Sequence, residues 1–156
     1  MSSTLVGKYI EEGSRSAFYR IGKGRGFKEF SDYWDAVYSH GLQTRAAKAG
    51  LAPAVYSQVG KIKLTCYNAC PKNQSDWGYI TQIAKTLGCG GNCGCDKCEE
   101  MEDKYYSDME LVVICLEEEC NICYEDIHVG NFGFIRKNGS YRLACVDFGP
   151  ESCFEE

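Results

Sequence analysis

The chain has 156 residues, a formal charge of −5 and 44% apolar residues, enough for one domain or for two small lobes sharing a core. The acidic balance, with no basic run against it, argues against general nucleic-acid binding. No apolar run approaches the ~18 residues of a membrane span, so neither nucleic acid nor membrane is an expected partner. Eleven cysteines are present, but the odd count and an opening Met-Ser-Ser-Thr-Leu-Val without a charged-then-apolar signal argue against a secreted disulfide scaffold. Reduced thiols in the cytoplasm are expected instead.

Residues 5–10, 17–21 and 27–30 read as three short strands. The polar turn 11–16, containing Gly13 and Ser14, separates the first two, and the glycine-rich turn 22–26 separates the second and third. Lys28 lies on the third strand, and Lys23 lies in the second turn. A helix is expected over 31–49, with Ser31 as N-cap and Asp32 favourable to the helix dipole. Trp34, Val37, Tyr38, Leu42, Ala46 and Ala49 recur at helical spacing. Gly50 is expected just past its end, and Pro53 prevents continuation. His40 reads as an ordinary surface histidine. Residues 54–59 and 62–67 read as a strand pair around Gly60-Lys61, 68–76 as a polar loop, and 77–84 as a further strand.

A cysteine patch follows. Cys89, Cys93, Cys95 and Cys98 fall within ten residues, interleaved with glycines, and four such thiolates are candidate ligands of one tetrahedral structural zinc. Cys95 and Cys98 form one C-x-x-C pair, Cys120 and Cys123 another. A helix expected over 101–119, with Tyr105, Met109, Val112, Val113 and Leu116 on its apolar face, would hold the two pairs ~30 Å apart. They therefore do not read as one zinc ribbon.

The most informative stretch is Tyr124-Glu125-Asp126-Ile127-His128-Val129-Gly130-Asn131, followed by Val146-Asp147-Phe148-Gly149. Between them, 132–135 and 141–146 read as a β-hairpin around Lys137-Asn138-Gly139-Ser140, whose Asn-Gly suits positive φ. Two acids and one amide are thereby held on loops beside a short hairpin. Phosphoryl transfer from a nucleotide needs such a set: one carboxylate to orient the attacking hydroxyl, and a second carboxylate with an amide oxygen to hold magnesium.

These motifs resemble the catalytic loop and metal-binding turn of the protein-kinase-like superfamily, Asp126 and Asn131 having the D-x-x-x-x-N separation and Asp147 opening Asp-Phe-Gly. The form D-I-H-x-G-N is similar to the branch holding aminoglycoside, choline and other atypical kinases, since Tyr124-Glu125 stands where His-Arg would. The resemblance runs from about residue 5 to 149. It implies an α+β kinase-like fold, with an N-lobe antiparallel sheet of five strands and one helix over 1–84. A hinge exit and cysteine-rich insert would follow over 85–100, then a reduced helical C-lobe with the catalytic hairpin over 101–156.

The resemblance further implies an ATP-dependent phosphotransferase, a minimal serine/threonine kinase similar to compact viral or phage forms. Its acceptor would bear a hydroxyl, a protein ahead of a small molecule. Asp126 would orient that hydroxyl, Asn131 and Asp147 would hold Mg²⁺, and Lys28 would pair with the phosphates. Gly13 and Ser14 would cover the phosphates, and a hinge over 82–85, with Gln82 and Ala84, would meet the adenine. His128 would prop the loop. Two departures stand out. The helix acid that should meet Lys28 would fall near Ser39, with only Asp35 and Glu29 nearby as substitutes. After Gly149 only seven residues remain, read as a frayed tail, and a homodimer could complete the lobe. A nucleotide-binding pseudokinase module and a small zinc-binding adaptor are the alternatives.

Overall fold

Short apolar runs separated by polar and glycine-rich turns make the first thirty residues a three-strand meander, and distant strands then close it. The computed structural model describes residues 3–12, 16–66, 77–89, 94–150 and 152–155. Gly13, Ser14, Cys93 and all of the expected 68–76 loop lie outside them. Strands β1 (Ser3–Glu12), β2 (Ser16–Gly22) and β3 (Arg25–Phe30) run antiparallel and lead into α1 (Tyr33–Lys48). Then come β4 (Gly60–Cys66) and β5 (Trp77–Gln82). The strand order is β1-β2-β3-β5-β4, and the sheet closes into a barrel because β4 pairs with β1. That last pairing is parallel, Leu5 opposite Leu64, so the expected all-antiparallel sheet is corrected at its seam. The segment 54–59 is not a strand either. It contributes one bridge, Val55 to Thr81, and the hydrogen bonds Tyr56 N–H to the Ile80 carbonyl and Gln82 N–H to the Ala54 carbonyl.

Strand alternation sorts the side chains of β3 between two apolar clusters. Phe27 joins Ala17 and Tyr19 on one face, and Phe30 joins Tyr79 and Ala36 of α1 on the other. The α1 helix starts one residue later than Ser31 would cap. Asp32 is the N-cap, its carboxylate accepting from Asp35 N–H at 3.1 Å. It ends as expected at Gly50, where Gly50 N–H and Leu51 N–H close onto the Ala47 and Ala46 carbonyls.

The second half begins with the short β6 (Lys85–Thr86) and the 25-residue α2 (Asp96–Cys120). The α2 helix starts five residues before the expected 101, because Cys95 takes the N-cap position and Asp96 and Glu99 favour the first turn. Cys98 is therefore helical, not part of a loop insert. Strand β7 (Ile122–Tyr124) is followed by the 3₁₀ turn Val129–Asn131 and by the hairpin β8 (Phe132–Lys137) and β9 (Ser140–Cys145). Asn138 and Gly139 have φ of 52° and 82°, the left-handed pair a two-residue hairpin turn demands. Strand β6 pairs with β8, making a three-stranded sheet. The tail is not frayed: β10 (Cys153–Glu155) pairs antiparallel with β7, and Ser152 and Cys153 are buried.

The largest apolar cluster fills the second half. Met109, Val112 and Leu116 of α2 meet Ile122, Phe132, Phe148 and Leu42 and Ala46 of α1. Helix α1 thus belongs to both halves, packing on the barrel through Ala36 and on the C-terminal core through Leu42 and Ala46. No helix among the described residues is long and apolar enough to cross a membrane.

Candidate functional site

Val146, on the segment leaving β9, is the hub. Its N–H donates to the Asn131 carbonyl at 2.8 Å, and its own carbonyl accepts from Lys28 Nζ at 3.2 Å. Lys28 comes from β3, 118 residues earlier, and is 7% exposed. Burial alone would lower its pKa. The Tyr79 phenol, the Asp147 carboxylate and the Cys145 and Cys153 thiols outweigh burial and hold the ammonium above its usual range. Lys23, by contrast, is exposed in the β2–β3 turn.

Asn131 is buried at the end of the 3₁₀ turn. Its Nδ2 donates to the Asp126 carbonyl at 3.0 Å and to Asp126 Oδ2 at 3.1 Å. With the nitrogen so used, Oδ1 is the end left for a cation. His128 steadies the same loop: Gly130 N–H donates to its Nδ1 at 3.0 Å, and its Nε2 lies 3.6 Å from Asp126 Oδ2. The Asp126 side chain is half exposed, so an incoming group can reach it.

Asp147 is held from several sides. Its Oδ1 accepts from Gly149 N–H at 3.1 Å, and its Oδ2 lies 3.5 Å from Ser152 Oγ. Its carbonyl accepts from Tyr124 Oη at 2.8 Å and from Cys145 Sγ at 3.4 Å. Phe148 is fully buried and anchors the tripeptide in the core. The Ser152 carbonyl accepts from Glu125 N–H at 2.8 Å and Asp126 N–H at 3.4 Å, so one tail residue touches both acidic loops. Ser152, Val146 and Tyr124 are the site residues that sequence reasoning missed. Val146 acts through its backbone groups and Ser152 mainly through its carbonyl, and backbone groups carry no residue signature. Tyr124 stood inside the quoted motif and could have been found there.

The place of the helix acid is filled differently. Ser39 is buried, with its Oγ 3.0 Å from Tyr79 Oη, and that phenol donates to Gln43 Oε1 at 2.7 Å. Gln43 Nε2 in turn donates to Thr81 Oγ1 and the Pro53 carbonyl. Tyr79 stands opposite Lys28 across the β3–β5 ladder and takes up the lysine's flank. Glu29 cannot substitute, because strand alternation puts it on the Phe27 face, opposite Ala17. Asp35 stays one turn short of Ser39, beside the N-cap. His40 is partly buried, bonded to the Ser57 carbonyl at 2.9 Å and edge-on to Tyr79, so it is not an ordinary surface histidine.

At the hinge, Gln82 is spent on structure. Its N–H bonds the Ala54 carbonyl, its Oε1 accepts from Ala54 N–H, and its Nε2 bonds the Arg136 carbonyl. It is therefore an unsuitable backbone donor for a base. Ala84 lies between β5 and β6. Gly13 and Ser14 lie outside the described residues. Cys89, Cys95 and Cys98 come together, all three sulfurs within 4.8 Å of one another; Cys93 lies outside the described residues. Cys120 sits at the far end of α2 from Cys98 and bonds the Arg45 carbonyl.

Hard oxygen donors at Asn131 and Asp147, beside a buried ammonium, have the chemistry that suits magnesium on a polyphosphate. No protein-family model matches the chain, and neither a curated protein nor a solved structure matches it.

Proposed function

We propose that the chain is an ATP-dependent phosphotransferase of protein-kinase-like design, acting on a hydroxyl-bearing acceptor. The observation that carries this reading is the double use of Val146, whose carbonyl accepts from Lys28 Nζ and whose N–H donates to the Asn131 backbone carbonyl. A lysine on the third strand, an amide on one loop and an acid on the next thus converge on one backbone segment. Asn131 Oδ1 and the Asp147 carboxylate would hold Mg²⁺, which supplies charge neutralisation of the transferring phosphoryl group. Lys28 contributes a fixed positive charge with little freedom to reorganise, the property that makes preorganised groups effective. The Asp126 carboxylate, tethered by Asn131 and flanked by His128, accepts the hydrogen bond of the acceptor hydroxyl and orients its lone pair.

A second reading, a nucleotide-binding interaction module without transfer, is favoured by the Ser39–Tyr79–Gln43 network standing where a helix carboxylate would meet Lys28. Purified protein, γ-labelled ATP and magnesium separate the two, with the chain itself and generic proteins as acceptors. Transfer is expected for the native chain. Asp126→Ala is expected to lower it by at least about 100-fold while nucleotide affinity holds. Asp147→Asn is expected to abolish the magnesium dependence of nucleotide binding. Binding without transfer would select the module, and neither binding nor transfer would refute both.

A further inference from the structure

We infer that Cys89, Cys95 and Cys98 bind a zinc ion and that this ion braces the turn carrying Asn131. The metal-binding part stands alone, and its bearing on catalysis rests on the phosphotransferase reading. The three sulfurs lie within 4.8 Å of one another, Cys89 and Cys95 at 4.0 Å. A tetrahedral site with Zn–S bonds of ~2.3 Å has sulfur–sulfur edges of roughly 3.8 Å, so small side-chain adjustments complete three corners. Cys95 is the N-cap of α2 and Cys98 lies in its first turn. Cys89 N–H donates to Cys98 Sγ at 3.3 Å, the kind of backbone hydrogen bond that orients a ligand sulfur. Cys98 is buried while Cys89 is exposed, giving an inner anchor and a route of entry for the metal. Soft thiolates in this number select zinc over magnesium or calcium.

The cluster leans directly on the loop of Asp126 and Asn131. Leu87 N–H bonds the Phe132 carbonyl at 2.9 Å, and Gly88 N–H bonds the Val129 carbonyl at 3.2 Å. The Cys89 carbonyl approaches Gly130 so closely that a Cβ there would collide with it, and a Cβ on Gly88 would collide with the Val129 side chain and fall 2.9 Å from Cys98 Sγ. Fixing Cys89 therefore fixes one wall of the 3₁₀ turn.

The full chain, purified in reducing buffer, is expected to retain stoichiometric zinc after exhaustive dialysis. With cobalt in place of zinc it should give the charge-transfer absorption of thiolate ligation. Cys89→Ser and Cys98→Ser should each weaken metal binding at least tenfold, whereas Cys115→Ser, on the body of α2, should not. Removing zinc from the native chain with a chelator should speed hydrogen exchange at Val129–Asn131 several-fold and leave the Lys137–Ser140 turn unchanged. Absence of retained metal, or retention indifferent to Cys89 and Cys98, would overturn the site. Bound metal with unchanged exchange at Val129–Asn131 would overturn the bracing. Neither readout depends on phosphate transfer, so its failure and that of the enzymatic reading are told apart.

Discussion

At the scale of single residues, the site is built from groups held in costly surroundings. Burial pushes the Cys153 thiol up to about 12, with the Asp147 carboxylate adding to the effect. Burial raises Cys145 further and holds Tyr124 well above the usual phenol range. An unfolded thiol ionises near 9.0, so the folded chain keeps protons that the unfolded chain releases above that pH. Stability is then complete below about pH 9 and lost as pH rises toward about 12. Lys28, whose folded pKa is also raised, acts in the same sense at the top of that range. Melting temperature is expected to be flat from about pH 7 to 8.5 and to fall above about 9, less steeply in the Cys145→Ala/Cys153→Ala double variant. A flat profile to about pH 11 would contradict the burial of both thiols. Lys28→Met replaces the ammonium with an apolar chain of similar length. It is expected to weaken nucleotide binding at least tenfold, by about 1.4 kcal/mol or more, while the melting temperature moves by only a few degrees, because a buried charge is seldom a net stabiliser.

At the scale of elements, β10 has the largest unforeseen role. Seven residues after Gly149 carry no periodic pattern long enough to declare a strand. Yet Cys153 fills the core, the Ser152 carbonyl takes the Glu125 and Asp126 amides, and the Cys153 carbonyl takes the Tyr38 hydroxyl of α1 at 2.9 Å. Removing residues 152–156 is expected to cost on the order of 2–4 kcal/mol, from several lost hydrogen bonds and one lost core side chain. Urea unfolding measures this. The same truncation should loosen Asp126 and lower phosphate transfer beyond what the stability loss explains. Unchanged unfolding would mean that β10 is dispensable. The β8–β9 hairpin, by contrast, was legible because its determinants are local: alternating apolar residues and an Asn-Gly pair suited to positive φ.

At the scale of the whole molecule, α1 joins two apolar cores. Ala36 packs on the barrel side, and Leu42 and Ala46 pack among α2, β7 and β8. Site residues come from both halves, Lys28 from the barrel and the acids from the C-terminal loops, so the site exists only while α1 keeps the halves together. Both tryptophans, Trp34 and Trp77, lie at the barrel end, each edge-on to Tyr33, whereas the long α2 belongs to the other half. Tryptophan fluorescence and far-ultraviolet circular dichroism therefore report different halves. Their urea transitions are expected to coincide, as shared packing demands; two separated transitions would show that the halves unfold independently.

The sequence alone determined the elements whose signals are short-ranged: the opening meander, α1 with its glycine exit, the apolar face of α2, and the acid–amide–acid spacing on either side of the hairpin. The nearness of Lys28 to Asp147, the parallel β1–β4 seam, the filling of the Ser39 position by Tyr79 and Gln43, and the docking of β10 were decided only by the tertiary structure. Each is a contact between residues far apart in the chain, made through backbone groups or buried polar partners, and the free energy that selects it arises only when the halves pack and exclude water.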